Sequence, residues 1–147
     1  MKFFLLIFLS FSAGVFAQGP DPSPAAAEPA PDLRPALYEL AGALGNEGFK
    51  VRDGAWSGVL QGGKPRRVAL NLFAGNQYWF CAASSAPGES PSITLRDPSG
   101  QEVDLVPFKR DGVAAAGVTA AATGRYVLEI GGSTRGSREF CVLYLFK

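Results

Sequence analysis

Histidine is missing from the 147-residue sequence, and cysteine occurs only twice. Histidine is the commonest general base and a frequent zinc ligand, so its absence removes the residue on which Ser/His and Cys/His catalysis and most transition-metal sites depend. A cysteine nucleophile would also lack a histidine to lower its pKa. The composition therefore predicts a protein that is not an enzyme and needs no cofactor or metal.

An excess of charge of one sign is also missing, because 14 Lys and Arg residues nearly balance 13 Asp and Glu residues to give a net charge of +1. Proteins that bind nucleic acid or anionic membrane surfaces normally carry a marked basic excess. We therefore expect no nucleic-acid partner. The prediction is a monomer whose partner is an unidentified protein or polysaccharide.

The apolar run at residues 3–11 is shorter than the ~20 residues that a membrane-spanning helix needs. It follows the positive charge of Lys2 and precedes small residues at positions 15 and 17, which is the pattern of a cleavable signal peptide. We predict that residues 1–17 are removed after Ala17; an uncleaved membrane anchor is the less favoured alternative. The mature chain would then begin at Gln18, be periplasmic or secreted, and have no membrane span.

Proline is concentrated just beyond this point, with six of the 11 prolines at positions 20, 22, 24, 29, 31 and 35. Pro-rich chains favour extended polyproline II, so we predict that residues 18–35 form a tether. Apolar side chains then recur at helical spacing, at Leu37, Leu40, Ala41 and Leu44. This spacing predicts a short helix over residues 36–44, with Gly45 as the left-handed residue that ends it.

Beyond Gly48 the apolar residues alternate with polar ones, most clearly in residues 67–72, 93–96 and 125–130. Glycine- and proline-containing turn sequences separate these segments at short intervals. About seven or eight short strands in this pattern are typical of an antiparallel sandwich. We therefore predict an all-β, jelly-roll-like antiparallel β-sandwich that forms one domain with the helix, residues 36–147.

Two segments, residues 78–83 and 140–146, are apolar on both faces instead. A strand of this kind needs cover on both sides. One face can meet the opposite sheet, and the predicted helix is the economical cover for the other.

Cys81 and Cys141 lie in these two segments, one in each. In an oxidising compartment two cysteines normally pair, so we predict a disulfide between neighbouring strands of one sheet; two buried free thiols are the alternative. Alternation would then place Cys81 and Cys141 on one face with Trp79, Ala83, Leu143 and Leu145. The opposite face would carry Tyr78, Phe80, Ala82, Phe140, Val142, Tyr144 and Phe146.

Four segments resemble signatures of the bacterial pre-peptidase C-terminal domain family. Residues 58–63, 72–80, 93–103 and 119–130 are similar in order and spacing to its "G-x-L-x-x-G", "L-x-A-G-x-x-Y-x-F", "L-x-D-P-x-G" and "T-A-x-x-x-G-x-Y" motifs. The resemblance covers about residues 48–147. It implies a small jelly-roll-like sandwich, of the kind found on secreted peptidases and in stand-alone proteins, that acts as a binding or structural accessory.

The sequence departs from the family at Val118, where an aromatic residue is usual before the "T-A" segment. Calcium-binding members carry an acidic cluster near the start of the domain. This region offers only Glu39, Glu47 and Asp53, too few for a cation that takes six or more oxygen ligands. We therefore do not predict a calcium site from the resemblance.

Trp56, Tyr78 and Trp79 are the aromatic residues that would form a stacking platform in a carbohydrate-binding module. Aromatic residues on alternating strands are more often part of the core. Carbohydrate recognition is therefore the alternative function, and it requires these side chains to be exposed and coplanar.

Asp97, Glu102 and Asp104 bracket a turn and would be the acids of a carboxylate-only hydrolase, the less favoured alternative. Asp-Pro-Ser-Gly at residues 97–100 is a turn sequence in its own right, with the Asp side chain bonding the backbone and the glycine at positive φ. Several basic residues lie beside turns, where we expect them to keep loops solvated: Lys64, Arg66, Arg67, Lys109 and Arg110. Anion binding is the alternative for these residues, and nothing else in the sequence supports it.

Overall fold

The computed structural model describes residues 32–86, 88–110, 112–132 and 136–147. The predicted signal peptide and residues 18–31 of the predicted tether lie outside them. Within the described residues, one helix precedes eight strands. They are α1 (Arg34–Gly45), β1 (Lys50–Gln61), β2 (Arg66–Leu72), β3 (Gln77–Ser84), β4 (Ser92–Arg96), β5 (Val106–Arg110), β6 (Val113–Thr119), β7 (Gly124–Gly131) and β8 (Ser137–Phe146).

The strands form a five-stranded sheet in the order β1-β8-β3-β6-β5 and a three-stranded sheet in the order β2-β7-β4. Each described pairing is antiparallel. The predicted all-β antiparallel sandwich with one short N-terminal helix is confirmed. The alternating segments become β2, β4 and β7 of the small sheet, whereas the two doubly apolar segments become the neighbours β3 and β8 of the large sheet.

The main core lies between the sheets and is built from the inward side of each alternating strand. Tyr78, Phe80 and Val142 of the large sheet and Leu72 and Leu128 of the small sheet are fully buried there. Side chains alternate between the two faces of a strand, so every second residue of each strand points to the opposite sheet. The core forms where these inward-pointing apolar residues of the two sheets pack against each other.

A second apolar cluster lies on the outer side of the large sheet, beneath α1. Cys81, Leu143 and Leu145 point to this side, and Leu37 and Leu44 of the helix are buried against them. Full burial of a leucine side chain contributes roughly 1.5–3 kcal/mol, which compensates for the poor stability of so short a helix alone. The prediction that the helix packs on the doubly apolar strands is confirmed.

The ends of α1 differ from the sequence-based expectation. The helix begins at Arg34, whose backbone N–H donates to the Asp32 carboxylate at 3.1 Å, and proline is well suited to its first turn. Gly45 is the last helical residue, not the left-handed one. The positive φ, +92°, falls on Gly48, within the turn that Phe49 closes by donating its backbone N–H to the Leu44 carbonyl.

The predicted disulfide is absent, because both cysteines are free and buried. Strands β3 and β8 are neighbours and both sulfurs lie on the same face of the sheet, as predicted; this face is the one that the helix covers. The register, however, pairs Cys81 with Leu143 and Cys141 with Ala83. The two cysteines are therefore diagonal, and diagonal neighbours on antiparallel strands are farther apart than the directly opposed residues that we expected to be bridged.

Candidate functional site

The helix contacts β1, β8 and β3 and leaves a groove open over β6 and β5. The apolar groove, as we call it, has a volume of about 440 Å³. Its apolar lining comes from Ala36, Leu40, Ala43, Leu44, Trp79, Phe108, Val113 and Ala115, and Glu39, Glu47 and Arg110 complete it.

The floor of the groove is β6, which presents only small side chains on this face. Val113, Ala115 and Gly117 are paired with alternate residues of β3, so all three face the helix side. Gly117 allows the indole of Trp79 to lie against β6, since a Cβ built on this glycine would come within 2.8 Å of two indole ring carbons. The glycine therefore fixes where the tryptophan ring can lie.

The far wall is β5, the edge strand of the large sheet. Phe108 is paired with Ala115 and Val106 with Gly117, so both side chains rise beside the floor. Phe108 is 42% exposed and Val106 is 63% exposed, which places them among the exposed large hydrophobic residues of the described chain. Phe108 and Trp79 thus flank β6 from its two neighbouring strands.

One ion pair connects the helix to the edge strand. The Arg110 guanidinium lies 3.6 Å from the Glu39 carboxylate, and both side chains are largely exposed. Exposed pairs of this kind contribute little to stability, so the contact can open at small cost. With Glu47 also at the groove, its three charged side chains carry a net charge of −1.

The predicted aromatic platform is not assembled. Tyr78 is fully buried in the main core, where its hydroxyl accepts a hydrogen bond from the Phe73 backbone N–H. Trp56 packs edge-on against Phe140 on the inner side of the large sheet, while Trp79 is on the outer side. Of the three predicted residues, only Trp79 belongs to the groove, and its aromatic companion there is Phe108.

The three candidate acids do not converge either. Asp97 lines one depression at the small sheet, whereas Glu102 and Asp104 line a different one. Asp97 accepts hydrogen bonds from the hydroxyl and backbone N–H of Ser99 and from the Gln101 backbone, which confirms the predicted turn. The Ser99 hydroxyl, with further help from these backbone donors, lowers the pKa of Asp97.

The cysteines are not activated nucleophiles. Burial raises the pKa of Cys81 to about 12, and burial likewise raises the pKa of Cys141. Both thiols therefore stay protonated at neutral pH, and a thiol is a poor nucleophile and metal ligand compared with a thiolate.

Acidic side chains near the start of the domain are dispersed. Glu39 and Glu47 line the groove, whereas Asp53 lies in the β1 bulge, where its carboxylate accepts a hydrogen bond from the Tyr144 hydroxyl. Across the described ranges, no group of three or more His, Cys, Asp or Glu side chains is placed to hold a metal ion. In the same part of the chain, no helix is long and apolar enough to cross a membrane.

The structure also shows a cluster that we did not predict as a site. Arg67 and Arg96 both contact Glu129 on the outer side of the small sheet, and Arg125 lies in the same depression. These residues are the polar partners in the three alternating segments. Their alternation was visible in the sequence, but the pairing of β2 and β4 with β7 was not.

A scan against protein-family models gives no match to this chain, and a comparison with curated proteins gives none either.

Proposed function

We propose that the protein is a non-catalytic, extracytoplasmic β-sandwich module of the pre-peptidase C-terminal type. In this proposal it acts as an accessory that binds an apolar peptide segment of a partner protein in the apolar groove. The observation that carries the proposal is the pair formed by Trp79 and Phe108, which flank a floor of small residues and remain partly exposed. Concave apolar surface with aromatic walls is the usual form of a binding site.

The charges of the groove suggest the chemistry of the occupant. Glu39 and Glu47 on the helix side outnumber Arg110 on the strand side. A segment with apolar side chains and a basic residue would complement this arrangement, because its cation could contact Glu47 without displacing the Glu39–Arg110 pair.

The sequence supports the remaining parts of the proposal. Residues 1–17 have the pattern of a signal peptide, which favours a periplasmic or secreted location. The order of the four motifs favours the family, whose sandwiches serve as accessories. The separation of Asp97 from Glu102 and Asp104, together with the protonated thiols, favours a binding role over catalysis.

The test uses the fluorescence of Trp79 in a Trp56→Phe background, so that a single tryptophan reports on the groove. A short peptide of alternating leucine and lysine should change the Trp79 emission in a saturable way. Phe108→Ser should weaken this binding by about tenfold or more, as expected for an aromatic residue in a hot spot. The matched control is Phe73→Ser, because Phe73 is similarly exposed, at 47%, but lies outside the groove.

Equal affinities for Phe108→Ser and Phe73→Ser would show that the peptide does not occupy the groove. A leucine–glutamate peptide that binds as tightly as the leucine–lysine peptide would contradict the proposed charge preference. If neutral oligosaccharides bind and both peptides fail, the carbohydrate alternative replaces peptide binding.

A further inference from the structure

The outer side of the three-stranded sheet carries charge where the large sheet carries the helix. Arg67 of β2, Arg96 of β4, and Arg125 and Glu129 of β7 all line one depression of about 460 Å³. We call these four residues the arginine face. It lies on the other sheet from the apolar groove, so it is a separate surface of the molecule.

Glu129 holds two of the guanidinium groups in place. Its Oε1 accepts a hydrogen bond from Arg67 Nε at 2.8 Å and another from Arg96 Nε at 3.2 Å. Only 11% of the Glu129 side chain is exposed, whereas the two arginine side chains are 67% and 39% exposed. Because the contacts use the Nε atoms, the terminal nitrogens of Arg67 remain available to a ligand, and those of Arg96 make only one long contact, to the Gly100 carbonyl.

Arg125 adds a third cation that this arrangement does not neutralise. It lies on β7 on the same side as Glu129, two alternating positions along the strand, and no described side chain forms an ion pair with it. The arginine face therefore carries three positive charges and one negative charge. Asp97 lines the same depression and is committed to its own turn through Ser99 and Gln101, so the charged side chains that line the depression together carry a net charge of +1.

We propose that the arginine face is a docking surface for an acidic peptide segment of a partner. Planar guanidinium groups match carboxylates in a two-pronged geometry, and fixed guanidinium groups lose less freedom on binding than mobile ones. The apolar part of the depression is Pro98 and Val127, and no aromatic side chain lines it. Sugar rings commonly stack on aromatic faces, so the surface suits an acidic peptide better than an acidic polysaccharide.

The experiment measures the fluorescence anisotropy of a labelled short oligoglutamate peptide with the whole protein at low salt. Binding should be saturable and should weaken as salt is added. Arg125→Gln should weaken it by about tenfold, since a hydrogen bond to a charged group is lost. The matched control is Arg66→Gln, which removes an exposed arginine next to Arg67 on β2 that does not line the depression.

Several outcomes would overturn the proposal. Oligoglutamate binding that is undetectable at low salt, or that Arg66→Gln weakens as much as Arg125→Gln, would show that the arginine face is not the docking surface. Polygalacturonate that binds more tightly than oligoglutamate at matched charge would show that the partner is a polysaccharide. If inorganic phosphate displaces the labelled peptide as effectively as unlabelled oligoglutamate does, the arginine face is a site for small anions and not a peptide-docking surface.

The proposal is independent of the apolar groove. Phe108→Ser should leave oligoglutamate binding unchanged, and Arg125→Gln should leave binding of the leucine–lysine peptide unchanged. Each surface can therefore fail without the other.

Discussion

The outer face of the five-stranded sheet is apolar and lies under α1, whereas the outer face of the three-stranded sheet carries three arginines around a glutamate. The inner faces of the two sheets are alike, since both contribute aliphatic and aromatic side chains to one core. The difference begins at the level of sequence. A strand that is apolar on one side can expose its other side to solvent, but a strand that is apolar on both sides must be covered on its outer side by another element.

The cover on the large sheet is incomplete, and this is what gives the sheet its candidate site. A helix of 12 residues contacts three of the five strands, and the apolar surface over β5 and β6 remains open. The small sheet needs no cover because most of its outward side chains are polar. Its surface presents charged groups to a partner, whereas the large sheet presents an apolar groove.

The largest expected effect comes from weakening the cover itself. Leu37 is on the side of α1 that faces the large sheet and is fully buried. Leu37→Ala should therefore lower the free energy of unfolding by about 2–5 kcal/mol, measured by urea denaturation. Tyr38→Ala is the control on the same helix, because Tyr38 is 48% exposed and its loss should cost within about 0.5 kcal/mol. Similar costs for both changes would mean that the helix does not contribute to the second core.

The cover was predictable because periodicity in the sequence carries direct information about faces. The sequence shows apolar side chains on both faces in residues 78–83 and 140–146. It also shows one amphipathic helix, whose leucines could cover the outer of these two faces, as they do in the structure. Even the faces of β3 and β8 were predicted correctly, although the disulfide was not. An offset of two residues moves Cys141 away from Cys81 but leaves both on the same face, since strand alternation has a period of two.

The arginine face was not predictable in the same way. Arg67, Arg96 and Arg125 lie in three separate segments, and they meet only because β7 pairs with both β2 and β4. The groove depends likewise on tertiary placement, since Phe108 is on a short strand without a clear alternating pattern. One sequence gives no information on which strands become neighbours unless a special pair, such as the two cysteines, indicates it.

An intermediate effect should appear at high pH, through the buried thiol under the helix. The folded protein holds the pKa of Cys81 at about 12 against an ordinary value of 9.0, so the folded state keeps a proton that the unfolded state loses. This contribution is fully present below pH 9.0 and is lost as pH rises toward about 12. Stability should therefore fall by roughly 1 kcal/mol per pH unit in this range, on account of this group alone.

The pH effect is isolated by comparing the protein with its Cys81→Ala variant in urea denaturation at several alkaline pH values. The variant should lose stability less steeply, because other alkaline titrations, including that of Tyr144, are common to both proteins. Parallel pH profiles would show that Cys81 does not titrate as a buried thiol. A disulfide, which has no thiol proton, would give that result.

The smallest effect should come from the small sheet, and its dependence on salt should distinguish the two outer faces most sharply. Glu129→Gln keeps the shape of the side chain but removes the charge that both Arg67 and Arg96 contact. Each arginine is more than a third exposed, so water screens the lost attraction and the cost should be about 1 kcal/mol or less. Added salt should reduce this cost further, whereas it should not reduce the cost of Leu37→Ala, which removes apolar contacts. A salt-independent loss at Glu129, as large as that at Leu37, would mean that the small sheet depends on its outer face for stability just as the large sheet does.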